Sequence, residues 1–213
     1  NTCGYANVAV GYKSLKCNTA GTRNTAVGSY ALACLYSGRG NTAIGAYSLF
    51  FNTYGECNVA VGNLALRDNA TACHNIAIGS YALLRNIAGN KNTAVGSNAL
   101  CNNTFGCINV AVGNESLKYN SNGDCNVAIG NRALFCNTYG DDNVAVGNCS
   151  MYYNTQGSCN TALGRKSLFK NSTGGFNTAV GGCALCYNTG GAWNTAVGDQ
   201  SLQYLSLIHI SEP

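Results

Sequence analysis

The feature that most constrains this chain is an internal repeat of 17 residues. The tripeptide Ala-(Val/Ile/Leu)-Gly ends at Gly11 and at every seventeenth residue up to Gly198, twelve times in all and without an insertion or a deletion. Because an insertion in one copy would break the register of its neighbours, a strict period indicates that each copy forms one layer, or rung, of a stack.

Each repeat begins with Asn-(Thr/Val/Ile)-Ala-(Val/Ile/Leu)-Gly, in which β-branched and small residues alternate as they do in a strand. An Ala/Ser-Leu segment follows, as in residues 133–136, and predicts a second short strand. Gly and Asn recur between these segments, where they favour turns and disfavour a helix. We therefore predict an all-β fold, a β-solenoid or parallel β-roll of twelve 17-residue rungs with two short strands per rung.

Stacking places equivalent residues of successive rungs above one another. The invariant Ala is interpreted as a point of close backbone approach, and a second Asn column is broken at Leu35. The aliphatic residue before each Gly and the Leu five places later are predicted to form two core ladders, which include Val27, Leu32, Ile44, Leu49, Val61 and Leu66. The leading Asn is predicted to form a structural ladder of amide hydrogen bonds, which includes Asn24, Asn41, Asn58, Asn75, Asn92 and Asn109.

Composition argues against several functions. Only 9% of the residues are charged, and the net charge of +4 is scattered, so no nucleic-acid partner is expected. The apolar runs are too short for a membrane-spanning helix. His74 and His209 are the two histidines, and no calcium-roll pattern occurs. The sequence therefore predicts no catalytic, cofactor-binding or metal-binding residues and no enzymatic activity.

Thirteen cysteines lie at variable positions of the repeat. They are either tolerated as small surface residues, paired in surface disulfides or used in intermolecular cross-links. Cys17 and Cys34 lie in one column on adjacent rungs, where a disulfide is conceivable. Cys183 and Cys186 match C-x-x-C, but without a βαβ context this match assigns no redox or metal role.

The two variable positions after the Leu carry many aromatic residues, and aromatic residues are enriched at binding surfaces. The alternative is that the rings stack on one another or line a seam between chains. We define this candidate interaction face, the aromatic face, as Phe50, Phe51, Tyr119, Phe135, Tyr152, Tyr153, Phe169 and Tyr187.

The string Asn-Thr-Ala-Val-Gly-x-x-Ala-Leu, as in residues 24–32, resembles the head repeats of trimeric autotransporter adhesins, which are called YadA-like or Hep/Hag repeats. The resemblance extends from Asn1 to about Tyr204, although the period of 17 is longer than the usual head repeat. It implies a left-handed parallel β-roll, a homotrimer and adhesion at a bacterial cell surface, with the outer-membrane anchor in a C-terminal part beyond this sequence. Similar repeats in phage and viral fibres give the alternative of a virion fibre shaft.

Residues 1–204 are predicted to be a single repeat domain and a fragment of a longer chain. Residues 205–213 leave the register and resemble the translation of a sequencing-library adapter, so we expect them to be read-through. Two large apolar side chains per rung make a thin core. A thin core favours burial of a further face between chains, and hence a homo-oligomer.

Overall fold

The computed structural model describes residues 3–205, and this range contains β-strands and turns but no helix that could cross a membrane. Each rung contributes one strand of three residues, centred on the invariant Ala. The strands are β1 (Val8–Val10), β2 (Thr25–Val27), β3 (Thr42–Ile44), β4 (Val59–Val61), β5 (Ile76–Ile78), β6 (Thr93–Val95), β7 (Val110–Val112), β8 (Val127–Ile129), β9 (Val144–Val146), β10 (Thr161–Leu163), β11 (Thr178–Val180) and β12 (Thr195–Val197).

The twelve strands form one parallel sheet in sequence order, and each strand pairs with the strands before and after it. The register is the repeat itself: Val8 lies opposite Thr25, and Ala9 opposite Ala26. At about 4.8 Å per rung, the stack extends over roughly 57 Å. The predicted all-β solenoid of twelve 17-residue rungs is confirmed.

The second strand predicted in each repeat is absent from the described residues. The segment after β2 is a turn in which Tyr30 and Leu32 have φ angles of 57° and 48°. Residues in this left-handed region cannot adopt strand geometry. The segment still pairs with its neighbour, because the Leu32 N–H donates to the Ser48 carbonyl at 3.0 Å and the Cys34 N–H to the Phe50 carbonyl at 3.1 Å.

The prediction that Val27, Ile44 and Val61 fill the interior is wrong. Ile44 is 42% exposed, and Val27 and Val61 are half-buried, whereas the central Ala of each of these strands is completely buried. Side chains alternate across a strand, so only one of two adjacent positions can point inwards. The narrow interior accepts the methyl group of Ala, and the larger aliphatic residues therefore point outwards.

The large apolar side chains of the core come from the Leu column. Leu32, Leu49 and Leu66 are completely buried, as is Met151, which replaces Leu in one rung. The Ala/Ser residue immediately before the Leu is also buried in most rungs. Leu35, which interrupts the second Asn column, extends this core locally.

The leading Asn residues are completely buried from Asn24 to Asn177 and hydrogen-bond from rung to rung. The backbone N–H and the side-chain Nδ2 of Asn58 both donate to Oδ1 of Asn41, at 3.0 and 3.2 Å. The same Nδ2 donates to the Ala72 carbonyl at 2.8 Å, near the end of its own repeat. Each of these side chains therefore links two rungs and also closes its own rung.

The second Asn column forms a similar ladder. Nδ2 of Asn86 donates to Oδ1 of Asn69 at 3.0 Å and to the carbonyl of Gly89 at 2.8 Å. With both ladders in place, no buried side-chain nitrogen or oxygen of residues 3–205 lacks a hydrogen-bond partner. The interior of residues 3–205 therefore offers no unsatisfied side-chain nitrogen or oxygen to a ligand.

A third ladder was not predicted. Two positions before the leading Asn, a short side chain accepts a hydrogen bond from the backbone N–H of the preceding rung. The acceptor changes from rung to rung: the backbone N–H of Cys73 donates to Oδ1 of Asn90 at 2.7 Å, and the backbone N–H of Asp141 donates to Oγ of Ser158 at 3.0 Å. The residues at this position share only a short side chain with a hydrogen-bond acceptor. Residue identity alone therefore did not reveal this column.

The invariant Gly at the end of each strand has a steric cause. Gly79 has a φ of 133°, and a Cβ atom there would lie 2.5 Å from the carbonyl oxygen of Gly96 on the next rung. A side chain therefore fits neither the backbone conformation nor the space between rungs.

Replacement of Asn75 by Ala is expected to lower the free energy of unfolding by about 1–3 kcal/mol. The variant lacks the Oδ1 atom that accepts the Asn92 N–H at 2.9 Å, and it loses the Nδ2 donor to Asn58. The Asn92 N–H then remains buried without its acceptor, whereas Oδ1 of Asn58 keeps the backbone N–H of residue 75 as a donor at 2.9 Å. Urea unfolding checks this, with Asn122→Ala, at an exposed Asn, as the matched control. Equal midpoint shifts in the two variants would contradict a special role for the ladder.

Candidate interaction surface

The outward side of the sheet, which we call the strand face, consists of the two residues that flank the central Ala in each of β1–β12. The residue after the Ala is always Val, Ile or Leu, and the residue before it is Thr, Val or Ile. Ile78 and Ile129 are each 41% exposed. An uncharged and largely aliphatic strip of this length is rare on the surface of a monomeric protein.

The dimensions of the strand face are those of a protein interface. Two outward residues on each of twelve strands amount to 24 residues, and a stable interface uses about 20–30 residues per partner. The side chains are mostly β-branched and therefore stiff, so ordering them in an interface loses little rotamer entropy. Chemically, the strip can pack against a flat apolar surface.

The aromatic face divides into separate clusters. In the first, the ring centroids of Phe50 and Phe51 are 4.6 Å apart, and Tyr47 lies 5.5 Å from Phe50. The second cluster consists of Tyr119, Phe135, Tyr152, Tyr153 and Phe169, in which neighbouring rings lie 4.7–5.5 Å apart. Tyr187 stacks on Tyr204 at 4.8 Å.

The aromatic column does not run without a break along the rod. Three rungs between the first two clusters carry other residues at these positions, namely Arg67, Asp68, Leu84, Arg85, Cys101 and Asn102. Much of the ring area is used in contacts between rings, although Phe51, Tyr119 and Tyr153 stay exposed. The structure thus brings together five of the predicted residues in one cluster and separates Phe50, Phe51 and Tyr187 from them.

An open groove of about 410 Å³ lies beside the first cluster. It is lined by Tyr47, Phe50, Phe51, Asn63, Leu64 and Arg67. The charge of Arg67 is balanced by its neighbour, because Nε of Arg67 lies 2.6 Å from Oδ1 of Asp68. The groove therefore offers ring faces and an amide rather than a net charge.

The second cluster adjoins a network of three charged side chains, Glu115, Lys118 and Arg132. Oε1 and Oε2 of Glu115 accept hydrogen bonds from Nζ of Lys118 and Nε of Arg132, each at 2.7 Å. Both cations also lie 5.7 Å from the ring centroid of Phe135. These hydrogen bonds hold the pKa of the Glu115 carboxyl below its ordinary value and raise the pKa of Lys118.

Other reactive side chains are dispersed. No group of three or more His, Cys, Asp or Glu that could hold a metal ion occurs within residues 3–205. All thirteen cysteines are free thiols, and His74 is exposed. The second histidine, His209, and most of the predicted read-through segment lie outside the described residues.

No family model, no curated protein and no solved structure matches this chain. Its function is therefore inferred from its own surface chemistry. The two features available for that inference are the strand face and the aromatic clusters.

Replacement of Glu115 by Gln is expected to lower stability at pH 7 and to have a smaller effect at pH 3. The folded-state pKa of Glu115 is depressed, so its ion pairs stabilise the protein above the unfolded-state pKa. This contribution is lost as the pH falls through the folded-state pKa, and near the surface it amounts to less than about 1 kcal/mol. Thermal unfolding at the two pH values checks this. Glu56→Gln, at an exposed carboxylate, is the control, and a pH-independent difference for Glu115→Gln would contradict the assignment.

Proposed function

We propose that this chain is the rod-shaped head or shaft of an extracellular adhesive protein, in which three copies pack along their strand faces and display the aromatic clusters. The observation that carries the proposal is the strand face, an uncharged aliphatic strip present on every rung. The number of copies and the location at a bacterial surface rest on the resemblance to adhesin head repeats.

The period of the strand face favours a second copy of this chain as its partner. Outward side chains repeat at the rung spacing of about 4.8 Å along the rod. A partner surface can pack against every rung with the same contacts only if its side chains have the same spacing. Another copy of this chain has that spacing. Mismatched surfaces would lose close packing after a few rungs, and with it most of the dispersion energy.

The aromatic clusters suit display for a different reason. They lie at variable positions of the repeat, so their composition can change without disturbing the Leu and Asn columns. A fixed scaffold that carries variable surface residues is the usual arrangement in binding proteins built from repeats. Exposed Tyr and Phe rings supply the large, rigid contact area that such surfaces use.

The intact chain is expected to have a mass in solution near three times 22.1 kDa. Replacement of Ile78 by Glu should dissociate the trimer, because a carboxylate would be buried in an apolar interface without a partner. Light scattering coupled to size-exclusion chromatography measures the mass. Phe105→Glu is the matched control, since Phe105 is also an exposed apolar residue but lies outside the strands. A wild-type protein that is monomeric and still folded as a β-sheet would contradict the proposed trimer.

Adhesion is tested by displaying residues 1–204 on a non-adherent bacterium and counting cells attached to an epithelial layer. Attachment is expected, with at least a severalfold decrease when Tyr152 and Tyr153 are both replaced by Ser, because each lost hot-spot contact is worth about 1–2 kcal/mol. Tyr139→Ser is the control, since Tyr139 is exposed outside the clusters. Equal attachment of all three strains would argue against the aromatic face.

A second candidate function is the shaft of a phage or viral fibre. The thirteen free thiols favour it, because a chain exported through an oxidising compartment risks disulfides before it folds. The gene beyond Tyr204 discriminates between the two functions. A coiled coil followed by amphipathic membrane strands supports the adhesin, whereas a chaperone or receptor-binding tip supports the fibre.

A further inference from the structure

Cys183 and Cys186 occupy a tight turn after β11. The N–H of Cys186 donates to the carbonyl of Cys183 at 3.3 Å, which closes a four-residue turn. The Cα atoms at the two ends of such a turn are less than about 7 Å apart, and disulfides span Cα separations of about 4.4–6.8 Å. The backbone geometry therefore permits a bond between the two sulfurs.

The repeat shows that side chains at these two positions touch. In rung 3 the equivalent residues are Tyr47 and Phe50, whose ring centroids are 5.5 Å apart. In the seventh rung they are Glu115 and Lys118, which form an ion pair at 2.7 Å. Because the rungs stack in register, the side chains of Cys183 and Cys186 leave the backbone at the same two positions, and the Cys186 thiol has a side-chain hydrogen bond with Cys183. No other repeat has Cys at both positions.

The two thiols differ in their surroundings. Cys186 is buried, and burial raises the pKa of its thiol, with the neighbouring Cys183 as the next cause. Cys183 is half-buried and in reach of solvent. An external reagent therefore meets Cys183 first, and Cys186 is held beside it as the second thiol.

Two other cysteine pairs are close but poorly placed. Cys17 and Cys34 lie in one column, where parallel side chains on adjacent rungs stay about 4.8 Å apart, beyond the Cβ separation of about 3.5–4.5 Å that a disulfide needs. Sγ of Cys107 accepts the N–H of Asn90 on the preceding rung, whereas Cys125 lies on the following rung. Neither pair is aligned for bond formation.

We propose that Cys183 and Cys186 form a redox-active dithiol that closes to a disulfide within its own rung. The oxidant is a small-molecule disulfide such as oxidised glutathione. The Cys183 thiolate attacks one sulfur of the oxidant and releases one thiolate; Cys186 then attacks the mixed disulfide at Sγ of Cys183 and releases the second. Two electrons pass from the cysteine sulfurs to the oxidant, and the two thiol protons end on the two released thiols. The inference is independent of adhesion and of the number of copies.

The test is to oxidise the reduced, folded chain with glutathione disulfide, block the remaining thiols by alkylation and digest with trypsin for mass spectrometry. No Lys or Arg follows Lys170, so one peptide carries both cysteines and no other. We expect this peptide to carry no alkyl group and to be lighter by two hydrogen atoms than the peptide with two free thiols. In Cys186→Ser, Cys183 should instead retain one glutathione as a stable mixed disulfide.

The chain contains its own matched controls. Cys149 occupies the position of Cys183 two rungs earlier, but Tyr152 stands where the second Cys would be. Cys149 should therefore not form a disulfide within its rung, whereas Y152C should create a second internal disulfide with Cys149. The proposal is overturned if Cys183 and Cys186 are alkylated or glutathionylated separately in the wild type, or if Y152C forms no new bond. Circular dichroism confirms that each variant is folded.

Discussion

Hydrogen bonds between the buried Asn side chains of successive rungs are the interaction on which the solenoid depends. Each strand has only three residues, too few to fix the register by backbone pairing alone. Asn supplies both a donor and an acceptor, so one residue type can repeat along the column and satisfy itself, as Asn41 and Asn58 do. A carboxylate has no donor and a hydroxyl has only one, so neither could reproduce the two hydrogen bonds that Nδ2 of Asn58 donates.

The narrow interior follows from the same ladders. Asn columns occupy much of each rung, and the space left between them holds one Leu and two small residues, as at Ala26, Ala31 and Leu32. The β-branched residues of the strand have no place inside and form the strand face. The thin core and the exposed aliphatic strip are therefore two results of one geometric restriction.

Much of the fold could be predicted from the sequence because the repeat is strict. The period fixed the parallel register, and residue identity located the first strand, the Leu column and both Asn columns. Two features of the rung interior, the turn at the Leu column and the inward face of the strand, were missed for physical reasons. Leu rarely adopts a positive φ, so nothing in the Ala-Leu pair indicated the turn at Leu32. Alternation in a three-residue strand also does not say which face is inside, and the small size of Ala26 was the only clue.

The candidate surfaces were harder to predict than the core. Aromatic residues such as Phe135 and Tyr152 were found by their position in the repeat, but their division into clusters depends on which side chains fill the intervening rungs. The column of mixed acceptors, exemplified by Asn90 and Ser158, shares no residue type and emerges only from the backbone geometry. The column keeps the same position in each repeat, and the residues at that position share only a side-chain atom that accepts a hydrogen bond.

The invariant repeat length has a consequence for how such a gene can change in size. Removal or duplication of one complete repeat shortens or lengthens the rod by one rung, and every column reconnects with its own kind across the junction. Loss of a single codon leaves one rung a residue short, so its residues no longer lie opposite their equivalents in the next rung. Recombination between repeats can therefore change the length of the rod without disrupting the register of its rungs.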